Sequence, residues 1–192
     1  MTDFIYLASA SPRRQELLRQ IGLGFEAMPS DLDEVPQPGE RPADYVLRVA
    51  RDKARHVAAR MQEQASHPVL GADTEVVLDG EILGKPRDRG HGLDMLRRLS
   101  GRTHEVLSGV CVVHGEREYT ALSVSRVTFR PLTAAEIAAY WDTGEPADKA
   151  GAYAIQGRAA AFIERLEGSY SGVMGLPLYE LAGILQKIRE GA

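Results

Sequence analysis

The sequence has little cysteine, no long apolar run and no excess of positive charge, and each absence excludes a class of protein. Among its 192 residues is one cysteine, Cys111, so no internal disulfide can form, and its apolar neighbours favour a buried, inert thiol. No apolar stretch approaches the roughly 20 residues that a membrane-spanning helix needs, and residues 1–3 lack the basic start of a signal peptide. The net charge of −4 argues against nucleic-acid binding, which usually needs a strongly basic face. We therefore expect a cytoplasmic protein without membrane association or stable nucleic-acid binding.

Several common catalytic motifs are also missing. There is no Walker A loop, no Gly-x-Ser-x-Gly and no Gly-x-Gly-x-x-Gly, and the five histidines lack metal-ligand spacing. The composition, 44% hydrophobic and 26% charged, is that of an ordinary globular protein. The length suits one sizeable core, so we expect residues 1–192 to form a single domain.

Short strands and helices alternate along the chain. Predicted strands cover residues 4–8, 24–28, 68–72, 75–78, 81–83, 103–114, 119–129 and 159–166. Predicted helices cover residues 13–21, 43–64, 87–99, 133–141 and 178–189, and residues 29–42, 149–157 and 168–177 are predicted loops. Asp79-Gly80 favours a tight hairpin turn, and Thr133 with Glu136 forms a capping box. This alternation, with one or two antiparallel pairs, predicts an α/β fold with a mixed, twisted central sheet flanked by helices.

The segment LASASPRR, residues 7–14, stands where a strand hands over to a helix N-terminus. Free backbone N–H groups and the positive end of a helix dipole are expected there. With the hydroxyls of Ser9 and Ser11 and the guanidiniums of Arg13 and Arg14, they would suit a phosphate group. A capped helix with two solvated arginines explains the segment equally well.

Three further segments offer polar side chains for chemistry. Asp73 follows the predicted strand 68–72, where it could bind a metal, take a proton from water or simply cap a turn. Lys85 in GKPR and Lys53 in its helix are phosphate-binding candidates that could equally be solvated. Gln156 in AIQG carries the donor and acceptor needed to read a base edge, or is a polar loop residue. Cations, hydroxyls and carboxylates together favour phosphoanhydride chemistry on a nucleotide.

Four segments, taken in order, resemble the Maf family of nucleoside triphosphate pyrophosphatases. They are LASASPRR at 7–14, GADT at 71–74, GKP at 84–86 and GAYAIQG at 151–157, and GLPL at 175–178 also fits. The resemblance spans residues 6 to about 185. It implies an α/β fold with a substrate cleft, similar to inosine triphosphate pyrophosphatases, and cleavage of a nucleoside triphosphate between its α- and β-phosphates. It also implies a divalent cation, Mg²⁺ or Mn²⁺, and a homodimer.

The resemblance also implies roles for individual residues. Asp73 would be the catalytic carboxylate that acts on the attacking water, and Glu34 would join it at the metal. The implied phosphate-binding residues are Ser9, Ser11, Arg14, Lys53 and Lys85.

Three positions separate the subgroups of the family. The group acting on dTTP and UTP resembles this chain at Arg13, Thr74 and Gln156, whereas the 7-methyl-GTP group has an aromatic residue, Gln and Glu there. The resemblance therefore implies a dTTP/UTP pyrophosphatase that removes noncanonical nucleotides, with a link to cell-division arrest. A 7-methyl-GTP pyrophosphatase and a nucleotide-binding regulator of septum formation remain the alternatives. Glu75 departs from the family pattern, which has an apolar residue there, and either alters the site or points to solvent.

Overall fold

A seven-stranded mixed sheet runs through the computed structural model, which describes residues 4–61 and 67–191. The strands are β1 (Phe4–Leu7), β2 (Gly24–Ala27), β3 (Val69–Leu78), β4 (Glu81–Ile82), β5 (Thr103–His114), β6 (Arg117–Phe129) and β7 (Ile163–Glu167). The α-helices are α1 (Pro12–Gln20), α2 (Pro42–Met61), α3 (Arg89–Leu99), α4 (Ala134–Trp141), α5 (Tyr170–Met174) and α6 (Leu178–Glu190). Short 3₁₀ helices cover Glu145–Asp148, Ala150–Ala152 and Arg158–Phe162. The expected α/β fold with a mixed central sheet is confirmed.

The strand order is β2-β1-β3-β5-β6-β7, with β4 paired to the end of β3. β1 runs parallel to both β2 and β3, whereas the pairs from β3 through β5 and β6 to β7 are antiparallel. Helix α2 packs on one face of the sheet, where Ala50 and Ala54 meet Cys111 of β5. On the opposite face Leu17 of α1 and Leu181 of α6 belong to the main apolar core. The sheet is thus a layer between helices, and β3 and β5 lie at its centre.

Local chemistry explains where several elements begin and end. The Asp79-Gly80 turn has positive φ at both residues, as a type I′ hairpin requires. Thr133 accepts the amide of Glu136 and the Glu136 carboxylate accepts that of Thr133, so the predicted capping box is confirmed. Among the described residues no helix is long and apolar enough to cross a membrane.

Four of the predicted elements differ in extent from the structure. The predicted strands 68–72 and 75–78 are one strand, β3, because β5 pairs with it continuously from Val69 to Val77. Of the predicted strand 159–166, the alanine-rich first part forms the 3₁₀ helix Arg158–Phe162, because alanine favours strands poorly. The predicted loop 168–177 contains α5, which Ser169 caps by accepting the amide of Gly172. The predicted helix 43–64 is confirmed to Met61, and residues 62–64 lie outside the described residues.

Candidate active site

A cleft opens beside β3, where one neighbouring strand has ended and the next has not yet begun. β1 accompanies β3 only as far as Leu70, and β4 joins it from Val77. Asp73, Thr74 and Glu75 lie between these two pairings and line the cleft. Asp73 was expected just past the end of a strand but lies within β3, at the level where β1 has already left the sheet. The site is therefore beyond the carboxyl end of parallel strand β1, where ligands commonly bind in α/β sheets.

The cleft encloses about 500 Å³ and brings together segments far apart in the chain. All ten residues singled out from the sequence line it: Ser9, Ser11, Arg13, Arg14, Glu34, Lys53, Asp73, Thr74, Lys85 and Gln156. The loop after β2, the helix α2, the strand β3 and the segment before β7 all contribute. The separate motifs therefore form one site in space.

Asp73 and Lys53 form the buried centre of the cleft. The Lys53 ammonium lies 2.9 Å from Asp73 Oδ1 and 2.9 Å from Glu34 Oε1, so one cation bridges two carboxylates. Both members of the inner pair are nearly inaccessible, with Lys53 6% and Asp73 4% exposed. Asp73 Oδ2 is buried and has no hydrogen-bond partner among the described residues. A buried, unpartnered carboxylate oxygen is costly, so its presence in a cleft indicates a place for a ligand or water.

Burial raises the pKa of the Asp73 carboxyl above its usual value, although Lys53 and Arg14 oppose the shift. Glu75 lies two residues along the same strand and therefore on the same face. Burial, together with the nearby Asp73 and Glu34 carboxylates, raises the pKa of Glu75 to about 8. The structure supports the interpretation in which Glu75 alters the site rather than pointing to solvent. Its side chain lines the cleft, and Oε2 is buried without a hydrogen-bond partner among the described residues.

Ser9 and Arg14 form a fixed basic wall at the start of α1. The Ser9 hydroxyl accepts hydrogen bonds from the Ser11 amide at 3.2 Å and from Arg14 Nη1 at 3.0 Å. Arg14 Nε donates to the carbonyl of Gly175 at 2.8 Å. Thr74 donates to the same carbonyl at 3.3 Å and shares a 2.8 Å hydrogen bond with Ser108. The Thr74 hydroxyl thus holds the end of α5 against the arginine.

The N-terminus of α1 supplies the rest of this wall. Ser11 occupies the N-cap position without a side-chain cap bond, and Pro12 begins the helix one residue before the predicted start. The Ser11 hydroxyl is therefore not used by the helix. Arg13 is half-buried, and desolvation lowers the pKa of its guanidinium while Asp148 opposes that shift. The wall combines helix N–H groups with two guanidiniums, an arrangement suited to an anion.

The opposite wall holds Lys85 and Gln156. Gly84 precedes Lys85 with a φ of 59°, a left-handed conformation that glycine adopts without strain. Its carbonyl accepts the Gly151 amide at 2.8 Å, which ties the two segments together. Lys85 and Gln156 are both exposed, and neither side chain makes a hydrogen bond or ion pair to the rest of the described chain. Both are free to contact a ligand.

The sequence interpretation missed several residues of the cleft. Lys149, which pairs with Asp148 and precedes the GAYAIQG motif, and Tyr153 within that motif line the same wall. Gly175 lines the cleft too, because α5 brings the GLPL segment back to Arg14. These residues lie within or next to the motifs visible in the sequence. Only the packing of α5 and the 3₁₀ helices brings them to the site.

A metal ion would find carboxylate oxygens here but no complete protein cage. Among the described residues Asp73 Oδ2 and Glu75 Oε2 have no hydrogen-bond partner, and Glu34 Oε1 is paired with Lys53. Within residues 4–61 and 67–191, however, no three His, Cys, Asp or Glu side chains are arranged to hold a metal alone. The donor set therefore fits a hard cation that keeps water or ligand oxygens in its shell, as Mg²⁺ usually does.

Comparison with known proteins places the chain among relatives of one kind. The family model described as Maf-like protein matches residues 4–188. The dTTP/UTP pyrophosphatase of Alkalilimnicola ehrlichii is 60% identical over 186 residues, 95% of this chain and 92% of that protein. Those of Methylococcus capsulatus and Cupriavidus pinatubonensis are 56% and 54% identical, over 97% and 98% of this chain and 92% and 98% of theirs. Among solved structures, a dITP/XTP pyrophosphatase from Mycobacterium abscessus matches 66% of this chain and 74% of its own, at 19% identity and a TM-score of 0.44.

Proposed function

The chain belongs to the Maf family, and we propose that it hydrolyses dTTP and UTP to the nucleoside monophosphate and pyrophosphate. The observation that carries this proposal is the buried Asp73, with one free oxygen, in a cleft that otherwise presents cations and helix N–H groups. Relatives named dTTP/UTP pyrophosphatases, up to 60% identical over nearly the whole chain, support the choice of substrates.

The triphosphate would bind along the basic wall and across to Lys85. Ser9, Ser11 and Arg14, with the first amides of α1, would donate hydrogen bonds to phosphate oxygens at one end. Lys85 would approach from the opposite wall. Spreading the charge of the triphosphate over these groups lowers the barrier to attack at the phosphorus.

Asp73 would act on the attacking water through Oδ2, the oxygen that Lys53 leaves free. It would take one proton from the water as the oxygen bonds to the α-phosphorus. The bond between that phosphorus and the bridging α–β oxygen then breaks, and pyrophosphate leaves with the bridging oxygen. A carboxylate whose pKa is raised by burial is a better base than an exposed one, and Lys53 keeps it oriented.

Asp73 and Glu34 would contribute carboxylate oxygens to a divalent cation, Mg²⁺ or Mn²⁺. When bound, such an ion neutralises phosphate charge and polarises the phosphoryl group. Its remaining ligands would be phosphate oxygens and water, because the protein offers no complete cage.

Gln156 would read the base, and Arg13 and Thr74 would shape the site around the substrate. The free amide of Gln156 offers one acceptor and two donors to the edge of uracil or thymine. A cytoplasmic homodimer is part of the same proposal and rests on the family resemblance.

A substrate panel tests the proposal. The purified protein is incubated with Mg²⁺ or Mn²⁺ and dTTP, UTP, CTP, dGTP or 7-methyl-GTP, and pyrophosphate and monophosphate are quantified. We expect fastest turnover of dTTP and UTP. Preference for 7-methyl-GTP would overturn the substrate assignment, and no pyrophosphate from any of them would favour a nucleotide-binding regulator.

A further inference from the structure

Gln156 stands at the tip of a tight turn that other parts of the chain hold in place. The Gly157 amide donates to the Ala154 carbonyl at 3.1 Å, which closes the turn over residues 154–157. Ile155 is buried at 6% exposure, whereas Gln156 is exposed in the cleft. An amide with no hydrogen bond of its own to the described residues can rotate freely, so its reach into the cleft is set by the backbone of this turn.

Tyr140 of α4 fixes the first side of the turn. Its Oη accepts the Ala154 amide at 3.1 Å and donates to Glu145 Oε1 at 2.7 Å. Tyr140 is 3% exposed, and burial together with the Glu145 hydrogen bond raises its pKa, so the hydroxyl keeps its proton. One buried hydroxyl therefore links the turn to a carboxylate.

Glu145 fixes the second side. Its Oε2 accepts the Arg158 amide at 3.1 Å. A Cβ placed on Gly157 would lie 2.3 Å from both carboxylate oxygens, so the Glu145 carboxylate lies directly against the backbone of the turn. Together Tyr140 and Glu145 hold the backbone two residues before and two residues after Gln156.

We propose that Tyr140 and Glu145 are positioning residues that set the base selectivity of the enzyme by holding Gln156 at a fixed distance from the nucleobase. This inference rests on the proposed function and adds residues that do not line the cleft. A purine base is larger than a pyrimidine base. A turn whose backbone is held in place leaves room for the pyrimidine only, whereas a turn whose backbone can move away from the cleft leaves room for the purine as well. The phosphate-binding residues and Asp73 stand on other elements and would be little affected.

The test measures kcat/KM for dTTP and dGTP in the full-length protein. Tyr140→Phe removes only the hydroxyl, and we expect the dTTP-to-dGTP preference to fall at least five-fold while kcat for dTTP changes less than two-fold. Glu145→Gln should change the preference in the same direction, because its single amide oxygen cannot accept from both the Tyr140 hydroxyl and the Arg158 N–H. Thr133→Ala is the matched control, because it removes the N-cap of the same helix without touching the turn. It should lower Tm and leave the preference unchanged.

A double variant separates positioning from general support. If Tyr140 acts through Gln156, then Tyr140→Phe combined with Gln156→Ala should lose no more selectivity than Gln156→Ala alone. Additive losses, or equal changes for both nucleotides in Tyr140→Phe, would overturn the inference while the proposed function stands. An unchanged preference in Gln156→Ala would overturn it as well. Absence of dTTP hydrolysis by the unaltered protein would instead remove the proposed function on which it rests.

Discussion

The residue that decides the chemistry is Asp73, buried beside Lys53 with one oxygen left for a water molecule. Its charge is tolerated because Lys53 and Arg14 lie close, and its burial makes it a better base. Burial of this carboxylate is unfavourable for folding, and the same burial raises its pKa and makes it a better base.

Asp73→Asn should lower kcat for dTTP by about 10²–10⁴-fold, the range expected for loss of a positioned general base, with little change in the folded structure. Steady-state kinetics and circular dichroism check this. The matched control is Asp79→Asn in the hairpin turn, where the exposed carboxylate pairs with Arg102 and asparagine tolerates the positive φ. A variant Asp73→Asn that keeps a tenth or more of the normal rate would contradict the assignment.

A second residue-scale prediction concerns His104, which is 2% exposed between Tyr153 and Phe129. Its Nε2 lies 2.8 Å from Tyr153 Oη, and burial lowers the pKa of His104 to about 4. Because the folded state binds the proton more weakly than the unfolded state, the stability from neutral His104 is full above pH 6.5. It is lost as the pH falls from 6.5 through about 4.

Replacing His104 should therefore reduce the loss in the free energy of unfolding as the pH falls below 7. Between pH 7 and pH 4 we expect the unaltered protein to lose up to about 3 kcal/mol that His104→Gln does not lose, measured by urea unfolding at several pH values. The control, His114→Gln at the half-buried end of β5, should keep the pH dependence of the unaltered protein. Parallel curves for His104→Gln and the unaltered protein would contradict this account.

At the scale of elements, the site depends on how closely α2 lies on the sheet. Gly71 of β3 and Gly109 of β5 have no side chain, and a Cβ on Gly71 would lie 2.0 Å from the Ala50 carbonyl oxygen. Because these two positions carry no side chain, α2 packs close enough to the sheet for Lys53 to contact Asp73. The distance between the two charges is thus set by two glycines.

Gly71→Ala should force α2 away from β3 and destabilise the fold by about 1–3 kcal/mol or more, the cost of overpacking a core. Gly183→Ala in α6 is the matched control, because a Cβ there meets no atom within 4 Å. In a helix interior that change should stabilise by about 0.5–1 kcal/mol. Chemical unfolding measures both, and a Gly71→Ala variant as stable as the unaltered protein would show that α2 is not held by this contact.

The elements also show what the sequence could and could not predict. Caps and turns were predictable because their signals are local, as at Thr133 and at Asp79-Gly80. The continuity of β3 was not, because Thr74 and Glu75 interrupt its apolar pattern and only pairing with β5 keeps them in the strand. The alanines before β7 were assigned to a strand although only residues 163–167 pair with β6.

On the scale of the whole molecule, the ten site residues predicted from the sequence lie in one cleft because the sheet order brings their elements together. Because β3 pairs with β1, Asp73 lies in the same cleft as Ser9. Because α2 packs against β3, Lys53 lies next to Asp73. The roles of Tyr140 and Glu145 could not be found this way. Both residues act through hydrogen bonds that reach backbone amides. Almost every residue type has a backbone amide, so no sequence pattern indicates these contacts.

The central claim is that water attacks the α-phosphorus of a pyrimidine nucleoside triphosphate bound in this cleft. The most direct measurement is hydrolysis of dTTP in ¹⁸O-labelled water with Mg²⁺, followed by mass spectrometry of both products. The account predicts thymidine monophosphate carrying one ¹⁸O atom and unlabelled pyrophosphate. Label in the pyrophosphate, or release of a diphosphate and inorganic phosphate, would contradict it.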